Sequence, residues 1–145
     1  MQFVHLGIHT EFSITESIVR IPDLIKAAVN ESMPALALTD LSNLHAAVKF
    51  YESCLSKGIK PILGSEIRLN DAEHRVTLLA MTNDGWRSLT EIVSRGFIEG
   101  QQLSIPCVQK EWVLQQHQDM IVLLGQHSDV GKMLCSSNPQ KAEAL

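Results

Sequence analysis

The sequence of 145 residues has no CxxC pair, no glycine-rich phosphate loop and no long apolar run, and each absence removes a class of function. Its three cysteines, Cys54, Cys107 and Cys135, are odd in number and widely spaced. They suit ordinary thiols in a reducing cytoplasm, not a disulfide frame or a zinc cage. No stretch approaches the roughly 18 apolar residues of a membrane span. Residues Met1 to His5 lack the basic start and apolar stretch of a signal peptide. No Gly-x-Gly-x-x-Gly follows the first predicted strand and no Walker-type sequence occurs, which argues against dinucleotide-binding and phosphate-loop units. Net charge is −4 with basic residues scattered singly, a poor match to a surface that grips a phosphate backbone. Repeats, low-complexity tracts and linkers are also missing.

What is present is a chain 45% hydrophobic and 19% charged, enough for one compact domain with a real core. Phe3 to Ile8 is predicted as a strand. Pro22 opens a helix at a favoured first-turn position, with Asp23 where the helix dipole welcomes an anion and Leu24, Ile25 and Ala28 on one apolar face to about Glu31. Pro34 to Leu38 is nearly all apolar, as a strand covered on both faces would be. After the polar loop Thr39 to Asn43, Leu44, Val48, Tyr51 and Leu55 form one helical stripe ended by Gly58. Further strands are predicted over Pro61 to Leu69, Val76 to Met81 and Met120 to Leu124. Asn83-Asp84 should cap a helix carrying Trp86, Leu89, Val93 and Phe97. Helices are also expected from Lys110 to Gln116, from Asp129 to Cys135, and starting again within Ser136 to Leu145. The alternation of about five strands with about five helices is that of an α/β fold with a largely parallel sheet, open or closed into a barrel.

Imidazoles and carboxylates collect at the strand ends: His5, His9, Glu11, Glu16, Asp40, Glu66 and His74. In a (β/α) barrel such positions share one mouth, and His, Asp and Glu are the ligands of hydrolytic metal sites. Each residue also has a plainer reading. His5 is as readily a hydrogen-bonded histidine near a barrel end, and Asp40 a helix cap. Glu66 in a strand needs a partner if buried. His117 and His127 read as solvated loop residues, and Trp86 and Trp112 as core.

Two segments carry more specific information. Phe3-Val4-His5-Leu6-Gly7-Ile8-His9-Thr10-Glu11-Phe12-Ser13 resembles the start of bacterial replicative DNA polymerase III alpha subunits, roughly F-V-H-L-H-x-H-S-x-Y-S. Met33-Pro34-Ala35-Leu36-Ala37-Leu38-Thr39-Asp40-Leu41-Ser42-Asn43-Leu44 resembles M-P-A-L-A-[IL]-T-D-x-x-N-L of the same family. The similarity continues through Val48-Lys49-Phe50-Tyr51, Gly58 to Gly64, Thr77 to Ala80 with Gly85, and Ile121 to Gly125 with Asp129-Val130-Gly131, so it covers essentially the whole chain.

The resemblance implies a PHP domain, a distorted (β/α)7 barrel at the N-terminus of a much longer polymerase, of which residues 1–145 would be an N-terminal portion ending in mid-domain. Histidines and carboxylates of complete family sites hold up to three metal ions. By position, the H-x-H pair falls on Gly7 and His9, and the next carboxylate on Glu16. The histidine after the T-D dipeptide falls on Leu41, the glutamate after G-x on Glu66, and the histidine before T-L-L-A on Arg75, with His74 one place off. His9, Glu16 and Glu66 therefore retain a ligand, while Gly7, Leu41 and Arg75 have lost one. Even the loss of an outer partner costs about 10–100-fold, so three lost ligands should remove at least ~10³-fold. No catalytic residue, metal or cofactor is then expected in this segment. The resemblance assigns template-directed DNA synthesis, with Mg2+, to absent domains of the parent. It further implies a cytoplasmic scaffold, free of membrane, that docks the proofreading exonuclease subunit, with other holoenzyme subunits and DNA engaged through the missing domains. A metal-dependent phosphoesterase of the same superfamily and a generic small-molecule α/β domain are the alternatives. An open barrel would leave strand edges and apolar surface uncovered, so marginal stability is expected of the segment alone.

Overall fold

The structure, a computed structural model, describes residues 3–70 and 73–135. In chain order it contains α1 (Ile21–Asn30), β1 (Ala35–Leu38), α2 (Ala47–Ser56), β2 (Lys60–Leu69), β3 (His74–Ala80), α3 (Asn83–Ile98), β4 (Gln101–Gln102), β5 (Ile105–Pro106), α4 (Lys110–Gln116), β6 (Met120–Leu123) and α5 (Asp129–Cys135). The helix predicted to begin within Ser136 to Leu145 lies outside the described residues. No helix among the described residues is long and apolar enough to cross a membrane.

Local chemistry explains most boundaries. Pro22 stands in the first turn of α1, where its missing N–H costs nothing. Gly58, at φ 72°, follows α2, and the Gly58 and Ile59 amides donate to the Leu55 and Cys54 carbonyls. This is a Schellman stop at the predicted glycine. Ser32, at φ 52°, ends α1 by the same pattern, with Ser32 and Met33 donating to Val29 and Ala28. At α3 the expected cap shifts by one residue: Thr82 is the N-cap, its hydroxyl accepting from the Gly85 amide. Thr82 alone there combines an extended backbone with a side chain able to reach back to the first turn.

The main sheet is mixed, in the order β1-β2-β3-β6. Only β1 and β2 are parallel; β2–β3 and β3–β6 are antiparallel, which corrects the expectation of a largely parallel sheet. The reason lies in the connection. Four residues separate Leu69 from His74, a hairpin turn with Asn70 at φ 44°, whereas a parallel crossover needs a dozen or more. The predicted first strand is corrected too. Phe3 to Ile8 is not a regular strand, although its carbonyls at His5 and Ile8 accept from the Ala37 and Thr39 amides and lay it along β1. The small hairpin β4–β5 was unpredicted, because its turn uses Leu103 and Ser104 at positive φ in place of an Asn-Gly signal.

Two apolar clusters flank the sheet. Ile21, Ile25, Leu36, Leu38, Phe50, Cys54 and Ile59 join α1 and α2 to β1. Burial pushes the Cys54 thiol up to about 11, so it is an inert packing group. Ile67, Val76, Leu78, Leu89, Ile92, Trp112 and Met120 form the second cluster beneath α3 and α4, with the Arg95 guanidinium 4.0 Å above the Trp112 ring. Alternation along β2 and β3 sends Ile67, Leu69, Val76 and Leu78 into this core and turns Glu66 and Arg75 to the other face.

Candidate functional site

The segment between the first residues and α1 is held by one buried carboxyl group. Asp40, 1% exposed at the end of β1, accepts from the Thr10 amide at 2.6 Å, the Thr10 hydroxyl at 2.7 Å and the Ser13 hydroxyl at 2.7 Å. It neither caps α2 nor joins the His9 cluster. Around it, the Thr39 hydroxyl accepts from the Ile8 amide at 2.8 Å, and the Ser65 hydroxyl donates to the Asp40 carbonyl at 2.7 Å. The Glu16 amide donates to the Ser13 carbonyl and the Ser17 hydroxyl to the His9 carbonyl, each at 2.8 Å. His9 and Glu16 are thereby placed against the sheet face that carries Glu66 and Arg75.

These four side chains form one ion-paired cluster. His9 Nδ1 lies 3.2 Å from Glu16 Oε2, and His9 Nε2 lies 3.0 Å from Glu66 Oε2. Arg75 completes the ring, with NH2 2.7 Å from Glu16 Oε1, NH1 2.9 Å from Glu16 Oε2 and NH1 3.5 Å from Glu66 Oε2. All four side chains are about one-fifth exposed, and they line a cleft of about 370 Å3 together with Gly7, Thr39, Thr77 and His127. With His9 protonated, two cations balance two carboxylates.

The electrostatics follow from these contacts. The hydrogen bond to Glu66 raises the His9 pKa above the ordinary 6.5, against burial, and the charges of Glu66 and Glu16 add to it. Glu16 is lowered, chiefly by its hydrogen bond from Arg75. Burial works against the charge on Glu66, but the hydrogen bond from His9 and the charges of His9 and Arg75 outweigh it and lower its pKa. Arg75 is raised by the hydrogen bond to Glu16.

A pH dependence follows. The raised His9 contributes fully below its unfolded value near 6.5, and the contribution is lost as pH rises through the raised folded value. The lowered Glu16 and Glu66 contribute fully above their unfolded values near 4.5, and lose it as pH falls through the lowered ones. The cluster should stabilise the fold most between about pH 4.5 and 6.5. Urea midpoints measured across that range should peak inside it, and His9→Gln should flatten the alkaline side. An alkaline limb of the same slope in His9→Gln would refute the assignment.

Of the positions singled out in the sequence, the structure brings His9, Glu16, Glu66 and Arg75 together and sets Gly7 on the cleft wall. Leu41 does not line the cleft; it forms a backbone bridge with Glu66, and its amide donates to the Ser13 hydroxyl. His74 is registered with Leu69, on the face opposite Arg75. His5 is exposed and packs edge-to-face on Phe3 at 4.6 Å, and Glu11 lies 3.9 Å from Arg20. His117 is exposed, with its ring 2.8 Å from the Leu114 carbonyl. His127 is the residue that sequence reasoning missed. It is exposed in its loop, as expected, yet it lines the cleft because its carbonyl accepts from the Arg75 amide. No periodicity in the sequence reports that loop-to-strand bond.

One ligand atom each from His9, Glu16 and Glu66 lies within 4.8 Å of the others, close enough for the three to share an ion. Residues 5–145 match the PHP domain family. Among curated relatives, the DNA polymerase III subunit alpha of Pseudomonas aeruginosa is 41% identical over 151 residues, covering 100% of this chain and 13% of the relative. That of Pseudomonas fluorescens is 40% identical over 149 residues, covering 99% and 13%. The Escherichia coli subunit is 34% identical over 143 residues, covering 94% and 12%. The chain thus spans about an eighth of the length of these relatives. On the match across nearly its whole length, the chain belongs to the PHP domain family.

Proposed function

We propose that the chain is the PHP segment of a DNA polymerase III alpha subunit, that its cleft works without a resident metal, and that the domain is a scaffold for docking the proofreading exonuclease subunit. The parent would carry out template-directed DNA synthesis in the cytoplasm, with Mg2+, DNA and the other holoenzyme subunits engaged by domains beyond this chain.

One observation carries the reading of the cleft: the Arg75 guanidinium reaches both remaining carboxylates, at 2.7 Å to Glu16 and 3.5 Å to Glu66. The residues do not fit a divalent cation. Three protein ligands can suffice for a catalytic zinc. Here the two acidic ones already have a permanent cation between them, and a metal would have to displace it or sit beside it. Arg75 supplies the positive charge that a metal supplies in a complete site, and it cannot ionise a water. The cluster therefore joins the His9 segment to β2 and β3 as a structural tie.

The test has two arms. The purified chain, dialysed against zinc or manganese, should retain less than about one-tenth of an equivalent of metal and hydrolyse no phosphate ester. Stoichiometric metal with turnover that disappears in His9→Ala would establish the phosphoesterase alternative. Separately, an immobilised exonuclease subunit should capture the polymerase subunit containing this segment. Failure of that capture, with the metal result as expected, would remove the docking partner and leave the structural tie.

A further inference from the structure

A groove of about 440 Å3 runs between α1 and α2. Its floor is apolar: Pro22, Ile25 and Val29, spaced three and four apart, share one side of α1. Ile25 is buried, but Val29 is 44% exposed. The reason lies in α2, which buries Ala47, Phe50 and Cys54, leaves Val48, Tyr51 and Leu55 to solvent, and turns a third side toward α1. That side carries Ser53 and Ser56, which are too short to close over Val29. Both hydroxyls donate to carbonyls of their own helix, Ser53 to Lys49 at 2.6 Å and Ser56 to Ser53 at 2.8 Å, so neither proton is offered to the groove.

The charge on the groove has one sign. Lys26 lines it from α1 and Lys57 from α2, both exposed, and no acidic residue among the described ones lines it. Lys49 stands one turn before Ser53 on the same side of α2. Asp23 and Glu52 are each one position from a lining residue, about 100° round the helix, and stay outside the groove. Among the described residues neither Lys26 nor Lys57 has an ion-pair partner, on a chain whose net charge is −4. Unpaired positive charge on both walls of an apolar floor selects an acidic occupant. Two copies meeting groove to groove would instead set lysine against lysine.

We propose that this groove docks a short acidic amphipathic helix of a partner protein. Its apolar side chains, at i, i+3 or i+4 and i+7, lie over Val29 between the two serines, as ridges fill grooves between packed helices. Carboxylates flanking that stripe pair with Lys26 on one side and Lys57 on the other. From Pro22 to Asn30 the floor rises about 12 Å, so it holds about two turns of the partner.

Fluorescence anisotropy of a labelled synthetic peptide, with the whole chain at neutral pH and low salt, tests the docking. The probe is about 14 residues long, with leucines at i, i+3, i+4 and i+7 and glutamates flanking them. It should bind with a dissociation constant on the order of 10–100 µM, as befits a small interface. The same peptide with lysine for glutamate, and a scrambled peptide of unchanged composition, should each bind at least ~10-fold more weakly. Lys26→Glu with Lys57→Glu should reverse the preference in favour of the lysine peptide. Ser56→Trp fills the groove without altering a charge and should abolish binding. These three positions are exposed, so the circular dichroism spectrum should not change. No binding of the acidic peptide below about 1 mM, equal binding of the scrambled peptide, or indifference to either variant would overturn the proposal. A dimer in sedimentation velocity that Ser56→Trp disrupts would assign the groove to a second copy and overturn it as well.

Discussion

Alanine at Asp40 is expected to destabilise the fold by about 3–5 kcal/mol, a large fraction of the 5–15 kcal/mol typical of a domain. The carboxyl group is 1% exposed and accepts from one amide and two hydroxyls at 2.6–2.7 Å. Truncation leaves those donors buried, at about 1–3 kcal/mol for each that finds no new acceptor. Both Thr10 and Ser13 are buried, so water has little access to them. Asp40→Asn keeps the shape and one acceptor oxygen, so its cost should be roughly half. The loss should also reach the cleft, because Asp40 fixes the segment that carries His9 and Glu16. Urea unfolding of both variants gives the comparison directly. A cost for Asp40→Ala below about 1 kcal/mol would mean that the segment is held by its contacts along β1 alone.

Under the proposed reading, histidines placed at Gly7 and Arg75 should have the opposite effect and turn the cleft into a metal site. Gly7 lines the cleft beside His9, and a Cβ added there meets no atom within 4 Å, so a histidine can enter without displacing backbone. Arg75→His removes the competing cation and returns a ligand to the same strand face. The double variant Gly7→His with Arg75→His should gain zinc affinity of at least ~10²-fold over the parent chain. At free zinc 100 times its dissociation constant, the fold should gain about 2.7 kcal/mol, reversed by chelator. Adding Leu41→His should increase affinity less, because Leu41 does not line the cleft. Calorimetric titration at about pH 7.5, where imidazoles are neutral ligands, reads the affinity. A folded double variant that binds no zinc would show that Arg75 is not what excludes metal. Arg75→Met separates the two contributions: with the cation gone but no histidine added, the fold should lose stability and His9, Glu16 and Glu66 should bind zinc measurably but more weakly than in the double variant.

Much of the fold was legible in the sequence because its signals are local. A proline in the first turn, a glycine after the last and an apolar face on α1 specify that helix and the end of α2 through short-range sterics and capping. The all-apolar β1 is buried at all four positions, as its composition implied. The α2 stripe marked a helix that the structure contains, but a stripe does not say which face is buried. Amphipathicity shows that a helix has an apolar face, not which neighbour covers it, and α2 has two such faces. The core side is made by small or compact residues, Ala47 and Cys54, with Phe50, and those are weaker signals than Val48, Tyr51 and Leu55. The parallel sheet was misread because strand direction depends on the length of the connections between strands, and the β2–β3 turn is short.

The cleft divides in the same way. The sequence by itself determined which side chains could ligate a metal, and that Gly7, Leu41 and Arg75 could not stand in for histidines. It also placed His74 on the wrong face of its strand, because alternation is a property of the backbone. Only the tertiary structure decided that Arg75 pairs with both Glu16 and Glu66. Register along β2 and β3 brings its guanidinium over Glu66, and the Asp40 hydrogen bonds bring Glu16 within 2.7 Å of it. Those contacts span 59 residues between Glu16 and Arg75. Charge pairing at that separation depends on distance in space, which no local pattern in a chain encodes.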